Sequence, residues 1–233
     1  MKTREGCLVL LTGFGLLAAS AGEKRPAHAP APAPPAELAK LDLANGGEGS
    51  VPGGATVIAG NWSLDAGAKT LRALPEPLLD AWLEFGPGIR EQGAVITVTG
   101  RAPGAGRLRS RFGAGLYGKN GFQIRTAPAR GGIELVRRGA VLVWKPFPLD
   151  PDKPLQLELS VVAERQHWIV AGRAWPDGGE RPDKPLFEHK VFAVELEFPL
   201  AGRPVLFATP FSGEAVGFSA AVVRPAATVP PGK

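Results

Sequence analysis

Apolar and polar residues alternate with a period of two along much of the chain. Leu79, Ala81, Leu83 and Phe85 are separated by Asp80, Trp82 and Glu84, and Leu155, Leu157, Leu159 and Val161 by Gln156, Glu158 and Ser160. Phe122, Ile124 and Thr126 alternate with Gln123 and Arg125 in the same way. Strand side chains point alternately to two faces, so this pattern predicts strands with one buried face. A helix over Glu76–Phe85 is disfavoured by Pro75, Pro77, Gly86 and Pro87, which crowd both its ends. Turn signals separate the runs: Gly53-Gly54, Asp65-Ala66-Gly67, Gly118-Lys119-Asn120-Gly121, Gly131-Gly132, Asp150-Pro151-Asp152 and Asp177-Gly178-Gly179. Their residues tolerate the positive φ of tight hairpins. About twelve to fourteen short strands follow, with no helix longer than two turns. Two stacked antiparallel sheets bury such strands economically, so the expected fold is all-β, a two-sheet antiparallel β-sandwich.

The two ends break the pattern. Lys2 and Arg4 precede an apolar run from Cys7 to Ala19, and Ala19-Ser20-Ala21 stands before Gly22. That order reads as a secretory signal peptide over residues 1–21. The run is shorter than the ~20 residues of a membrane helix, and no span is expected in the mature chain. Residues 22–37, rich in alternating Ala and Pro, read as a semi-rigid polyproline II tether. Residues 38–224 then form the sandwich and 225–233 a loose tail. The expected location is outside the cytoplasm: periplasmic or extracellular, associated with the envelope.

Composition narrows the chemistry. Cys7 is the only cysteine and lies in the leader, so the exported part has neither disulfide nor thiolate. The histidines are His28, His167 and His189, and no Gly-x-Ser-x-Gly precedes a helix. A Ser-His-Asp triad and an ordinary zinc centre are therefore not expected. The net charge is +5, and removal of Lys2, Arg4 and Glu5 with the leader lowers it by one. The distribution matters more. Arg101, Arg107, Arg109, Arg111, Lys119, Arg125, Arg130, Arg137 and Arg138 face one acid, Glu134, in the middle of the chain. Acids outnumber bases from Asp150 to Glu214. Nucleic acid is not the expected partner, because no RNP-like or helix-turn-helix pattern accompanies the basic pI.

The stretch Arg111–Val143 resembles the concanavalin A-like, laminin-G-like jelly roll. Its Gly113–Gly118, Gly121–Ile124 and Leu135–Arg137 match that group's Gly-rich, G-[FY]-x-[LI] and L-x-[RK] strands, and Leu142–Trp144 is similar to its h-x-x-W strand with one position fewer. Gly60–Asp65 is similar to the opening strand of bacterial members, and Leu155–Val162, Trp168–Ala174 and Val216–Val223 to closing strands. The resemblance implies a carbohydrate-associated module of envelope proteins, non-catalytic or occasionally hydrolytic, similar to keto-disaccharide hydrolase-like domains. It also brings in calcium, for which Asp150, Asp152, Asp177 and Asp183 offer loop oxygens; the same residues serve equally as turn formers.

Three functions follow as expectations. Arg107, Arg109 and Arg111 sit two apart, on one face of an extended chain, with Arg125 on a nearby strand. Guanidinium groups match carboxylates, sulfates and phosphates with paired hydrogen bonds. With Trp82 as an exposed platform on the polar face of its strand, they suit a carbohydrate or an anionic envelope polymer. The competing account is cross-strand pairing of the arginines with Glu84, Glu134, Glu158 or Glu164. Glu195 and Glu197, two apart on a predicted strand, offer a carboxylate pair for glycoside cleavage. Alternation offers the plainer reading: Val194, Leu196 and Phe198 face the core and the glutamates face water. The third function is a structural or assembly role in which a sheet packs on another protein.

Overall fold

The computed structural model describes residues 36–76, 79–90, 93–104, 109–164, 166–196, 198–211 and 213–226. The expected leader, the tether before Ala36 and the tail beyond Ala226 lie outside the described residues, as do Arg107 and Glu197.

Two large sheets make the sandwich, and every pairing in them is antiparallel. The first runs β14 (Phe187–Phe192), β13 (His167–Pro176), β12 (Leu155–Glu164), β7 (Ala94–Arg101), β17 (Val216–Pro225), β4 (Thr70–Leu74) and β3 (Asn61–Asp65). Strand β1 (Ala39–Lys40) adds to β17 as its eighth member. The second runs β11 (Ala140–Pro146), β10 (Gly132–Arg137), β9 (Phe122–Ala127), β8 (Arg111–Leu116), β16 (Val205–Thr209), β5 (Ala81–Phe85) and β2 (Ala55–Ala59). A short ribbon of β6 (Ile89–Arg90) and β15 (Ala201–Gly202) stands apart. Among the described residues no helix is long and apolar enough to cross a membrane.

The core lies between the sheets and is built by the predicted alternation. Leu64, Leu71, Ile96, Val98, Leu157, Leu159 and Phe218 from one sheet are fully or almost fully buried. They meet Leu83, Phe85, Phe112, Ile124, Leu135 and Leu206 from the other in one continuous cluster. Each such side chain contributes about 1.5–3 kcal/mol by leaving water. Arg138 and Gly139, at φ 50° and 78°, turn β10 into β11.

The Val194–Phe198 segment departs from its pattern. Residues Ala193–Glu195 form a single 3-10 turn, in which Oε2 of Glu195 accepts the Phe192 N–H at 2.9 Å. Val194 is 92% exposed and Phe198 65%, so the expected strand with its apolar residues in the core does not exist. Once β14 has ended at Phe192, no neighbouring strand among the described residues holds this segment in register.

Both outer faces carry a buried carboxylate. On the eight-stranded sheet Glu158 accepts Arg173 Nη1 at 2.9 Å and Arg181 through Nε at 2.7 Å and Nη2 at 2.6 Å. Arg173 also donates to the carbonyls of Pro182 and Asp183, drawing that loop over the sheet.

Candidate functional site

A single register row crosses the seven-stranded sheet from edge to edge. Ala59, Trp82, Phe207, Gly113, Arg125, Glu134 and Trp144 are successive cross-strand neighbours. Alternation turns the row away from the core, because Leu206, Ala114, Ile124 and Leu135 point inward from the adjoining positions. Gly113 interrupts the row with no side chain. A Cβ there would stand 2.7 Å from the Arg125 Cβ and collide with the Ile124 carbonyl oxygen.

Two arginines share the Phe207 ring. The Arg125 guanidinium carbon lies 5.7 Å from its centroid and that of Arg111 5.8 Å; Arg111 also lies 5.3 Å from the Phe211 ring. Trp82 meets Phe207 at 4.9 Å between centroids, and Lys119 Nζ stands 5.8 Å from the Trp82 ring. Cations over aromatic faces gain about 0.5–2 kcal/mol each, more as water is excluded.

The carboxylates are placed unevenly. Glu134, buried on this face, accepts Arg125 Nε at 3.1 Å through Oε2 and Arg130 Nη1 at 3.1 Å through Oε1. Arg111 has a looser arrangement, with Nη2 3.8 Å from Asp80 Oδ1 and 3.4 Å from Thr209 Oγ1. Its Nε is buried and finds no acceptor among the described residues. Burial, and after it the neighbouring Arg125, push the Arg111 guanidinium below its ordinary value against the pull of Asp80 and Glu134. Arg111, Arg125, Arg130 and Lys119 thus face Asp80 and Glu134, and the face keeps excess positive charge.

Arg111, Arg125 and Trp82 are therefore brought together and Arg109 is not, while Arg107 lies outside the described residues. Arg109 precedes the first residue of β8 and turns away from Arg111, donating Nη2 to the Leu149 carbonyl at 3.0 Å. Trp82 lies on the polar side of its strand as expected but is only 7% exposed, so it is a floor beneath Lys119 and beside Phe207 rather than an open platform. Arg125 has the expected acid partner, Glu134, as the competing account required.

No local signal in the sequence marks Phe207. Val205–Thr209 is apolar at nearly every position, which hides the parity that places Phe207 outward. Glu195, capping its turn, has no described carboxylate partner for two-acid chemistry, and Glu197 is outside the described residues.

Three of the four loop aspartates have partners for their carboxylates nearby: Asp150, Asp177 and Asp152, whose Oδ1 lies 3.6 Å from Arg101 Nη2. Asp150 accepts the Asp152 N–H at 3.0 Å and lies 3.3 Å from Lys153 Nζ; Asp177 accepts Gln156 Nε2 at 2.7 Å; the Asp183 carbonyl receives Arg173. Among the described residues no three His, Cys, Asp or Glu side chains gather as a metal site.

No protein-family model matches the chain, and no curated protein does. Among solved structures it is similar to a tyrosine-to-phenylalanine mutant of the Emp46p carbohydrate recognition domain, at 13% identity and a TM-score of 0.56, covering 82% of this chain and 98% of that one. The Emp47p carbohydrate recognition domain is similar at 11% identity and 0.55, covering 83% and 97%. The Ca2+-bound exoplasmic/lumenal domain of VIP36 is similar at 10% identity and 0.54, covering 82% and 92%. Likeness at these identities speaks for the fold alone. The chain has the concanavalin A-like, lectin-type jelly-roll fold.

Proposed function

We propose that this chain is an exported, non-catalytic binding module for carbohydrate that carries anionic groups, with its contact surface on the outer face of the seven-stranded sheet. The observation that carries the reading is the convergence of Arg111 and Arg125 on Phe207, with the Arg111 Nε left unmatched. An anionic sugar substituent there pairs with the exposed edge of a guanidinium whose acid partner is distant and relieves the repulsion between two cations. Carbohydrate as the partner class is supported by the fold shared with two carbohydrate recognition domains. Export is supported by the charged, apolar and small-residue order of the first 21 residues. The non-catalytic reading is supported by Glu195, whose carboxylate is engaged in capping its own turn.

Affinity electrophoresis through acidic and neutral polysaccharides tests this. Retardation is expected in the acidic gels, weakening steeply with salt and lost in Arg111→Ala. Equal migration in acidic and neutral gels overturns the reading.

An assembly role is favoured by a different observation: Phe192, Val194 and Phe198 leave apolar surface exposed beyond the end of β14. Concentration-dependent sedimentation that Phe198→Ser abolishes is the result that reading requires.

A further inference from the structure

Away from that face, a cavity of about 230 Å3 opens between the ends of the two sheets. Phe112 and Thr126 contribute from the seven-stranded sheet, Leu155 and Pro176 from the eight-stranded one, and Leu149 closes a side. Pro128, Pro148 and Pro154 join Pro176 in the wall. Prolines bring no backbone N–H, so this rim is stiff and poor in donors.

The polar groups of the wall are mostly spent. Thr126 Oγ1 accepts the Phe112 N–H at 3.0 Å and donates to the Phe112 carbonyl at 3.3 Å, closing the ladder where β8 begins. The Asp150 carboxylate is held by the Asp152 N–H and Lys153 Nζ. Arg109 is the exception. Its Nη2 reaches the Leu149 carbonyl, while its Nε is buried and meets no acceptor among the described residues. A guanidinium has five donors, and a buried donor without a partner has lost its water without a replacement. Arg109 and Lys153 against Asp150 leave this wall one positive charge in excess.

We propose that this cavity binds a small organic carboxylate with a compact apolar body, its carboxylate on the guanidinium of Arg109 and its body among Phe112, Leu149, Leu155 and the prolines. The volume equals about eight waters at ~30 Å3 each, enough for one aromatic ring or a short alkyl chain. A neutral ligand of the same shape gains no charge-assisted pair with the Arg109 guanidinium and binds more weakly. A dianion exceeds the single excess charge. The site shares no residue with the outer-face surface, so either reading survives the failure of the other.

Benzoate is the probe, titrated into the protein and followed by amide chemical shifts. Saturable binding is expected, at least about tenfold tighter than for benzyl alcohol, since only the carboxylate engages the guanidinium as a charge-assisted pair. That comparison uses the unaltered protein and needs no variant. Arg109→Gln is expected to lower benzoate binding to the benzyl alcohol level and leave benzyl alcohol unaffected. Competition by a tripeptide with a free C-terminal carboxylate, against its amide, separates a chain terminus from a free acid as source, and both support the site. Benzoate and benzyl alcohol binding alike, benzoate failing to saturate, or benzoate binding unchanged in a folded Arg109→Gln protein overturns it.

Discussion

Arg125 and Glu134 face each other across β9 and β10, with Nε 3.1 Å from Oε2 and both side chains largely out of water. A pair so placed is a registry device as much as a source of stability, because an isolated partner is a buried charge. Glu134 also holds Arg130. Glu134→Gln therefore leaves two guanidiniums without their counter-charge and is expected to lower unfolding free energy by about 3 kcal/mol. The double variant Arg125→Met, Glu134→Leu is expected to regain most of that loss. Urea denaturation of the three proteins measures it; a loss under about 1 kcal/mol for Glu134→Gln contradicts this assignment.

Gly113 separates Arg125 from Phe207 in the same row. Gly113→Ala places a methyl group 2.7 Å from the Arg125 Cβ and against the Ile124 carbonyl, so β8 and β9 must part. A destabilisation of about 1–3 kcal/mol is expected. Gly53→Ala, whose added Cβ meets nothing within 4 Å, is the control and stays within about 0.5 kcal/mol. Equal midpoints for the two variants rule out the steric account.

Side-chain parity makes the sandwich core legible in the sequence. Leu83 and Phe85, or Leu157 and Leu159, have one sidedness that local spacing fixes. The candidate site was legible only in part, because its surroundings are non-local. Trp82 sits opposite its apolar neighbours as alternation requires, yet its burial comes from Phe207, a cross-strand neighbour far along the chain. Arg109 and Arg111 are two apart, but the strand begins between them, and the Leu149 carbonyl draws Arg109 elsewhere. Glu195 lies in a sequence that alternates like a strand, and a short-range hydrogen bond to Phe192 wins over it.

Glu158 offers a contrast with Glu134 on the other sheet. Its two partners differ in exposure: the Arg173 side chain is 15% exposed and that of Arg181 49%. Removing the exposed partner leaves the inner pair intact, so Arg181→Ala is expected to cost about 1 kcal/mol or less. Arg173→Ala also releases the Pro182 and Asp183 carbonyls and is expected to cost about 3 kcal/mol. Hydrogen exchange across residues 180–186 checks the distinction. Faster exchange in Arg173→Ala than in Arg181→Ala is the expected order, and the reverse order removes Arg173 as the anchor of that loop.

Tyr117 is the only tyrosine in the chain, so its ionisation is readable without ambiguity. It follows β8 at φ 66°, buried, with its ring 6.4 Å from Trp168. Burial disfavours the phenolate and pushes the hydroxyl well above its ordinary value. The unfolded chain releases this proton near pH 10, whereas the native chain retains it. Below pH 10 both states hold the proton, and the contribution to stability is fully present. Above pH 10 the unfolded state binds fewer protons, so stability falls by about 1.4 kcal/mol per pH unit until the native group itself titrates. Absorbance at the phenolate band is expected to stay flat through pH 10–11 in the native protein and to rise near pH 10 in denaturant. A native titration near pH 10 means that the hydroxyl reaches water and that the burial assigned to Tyr117 is wrong.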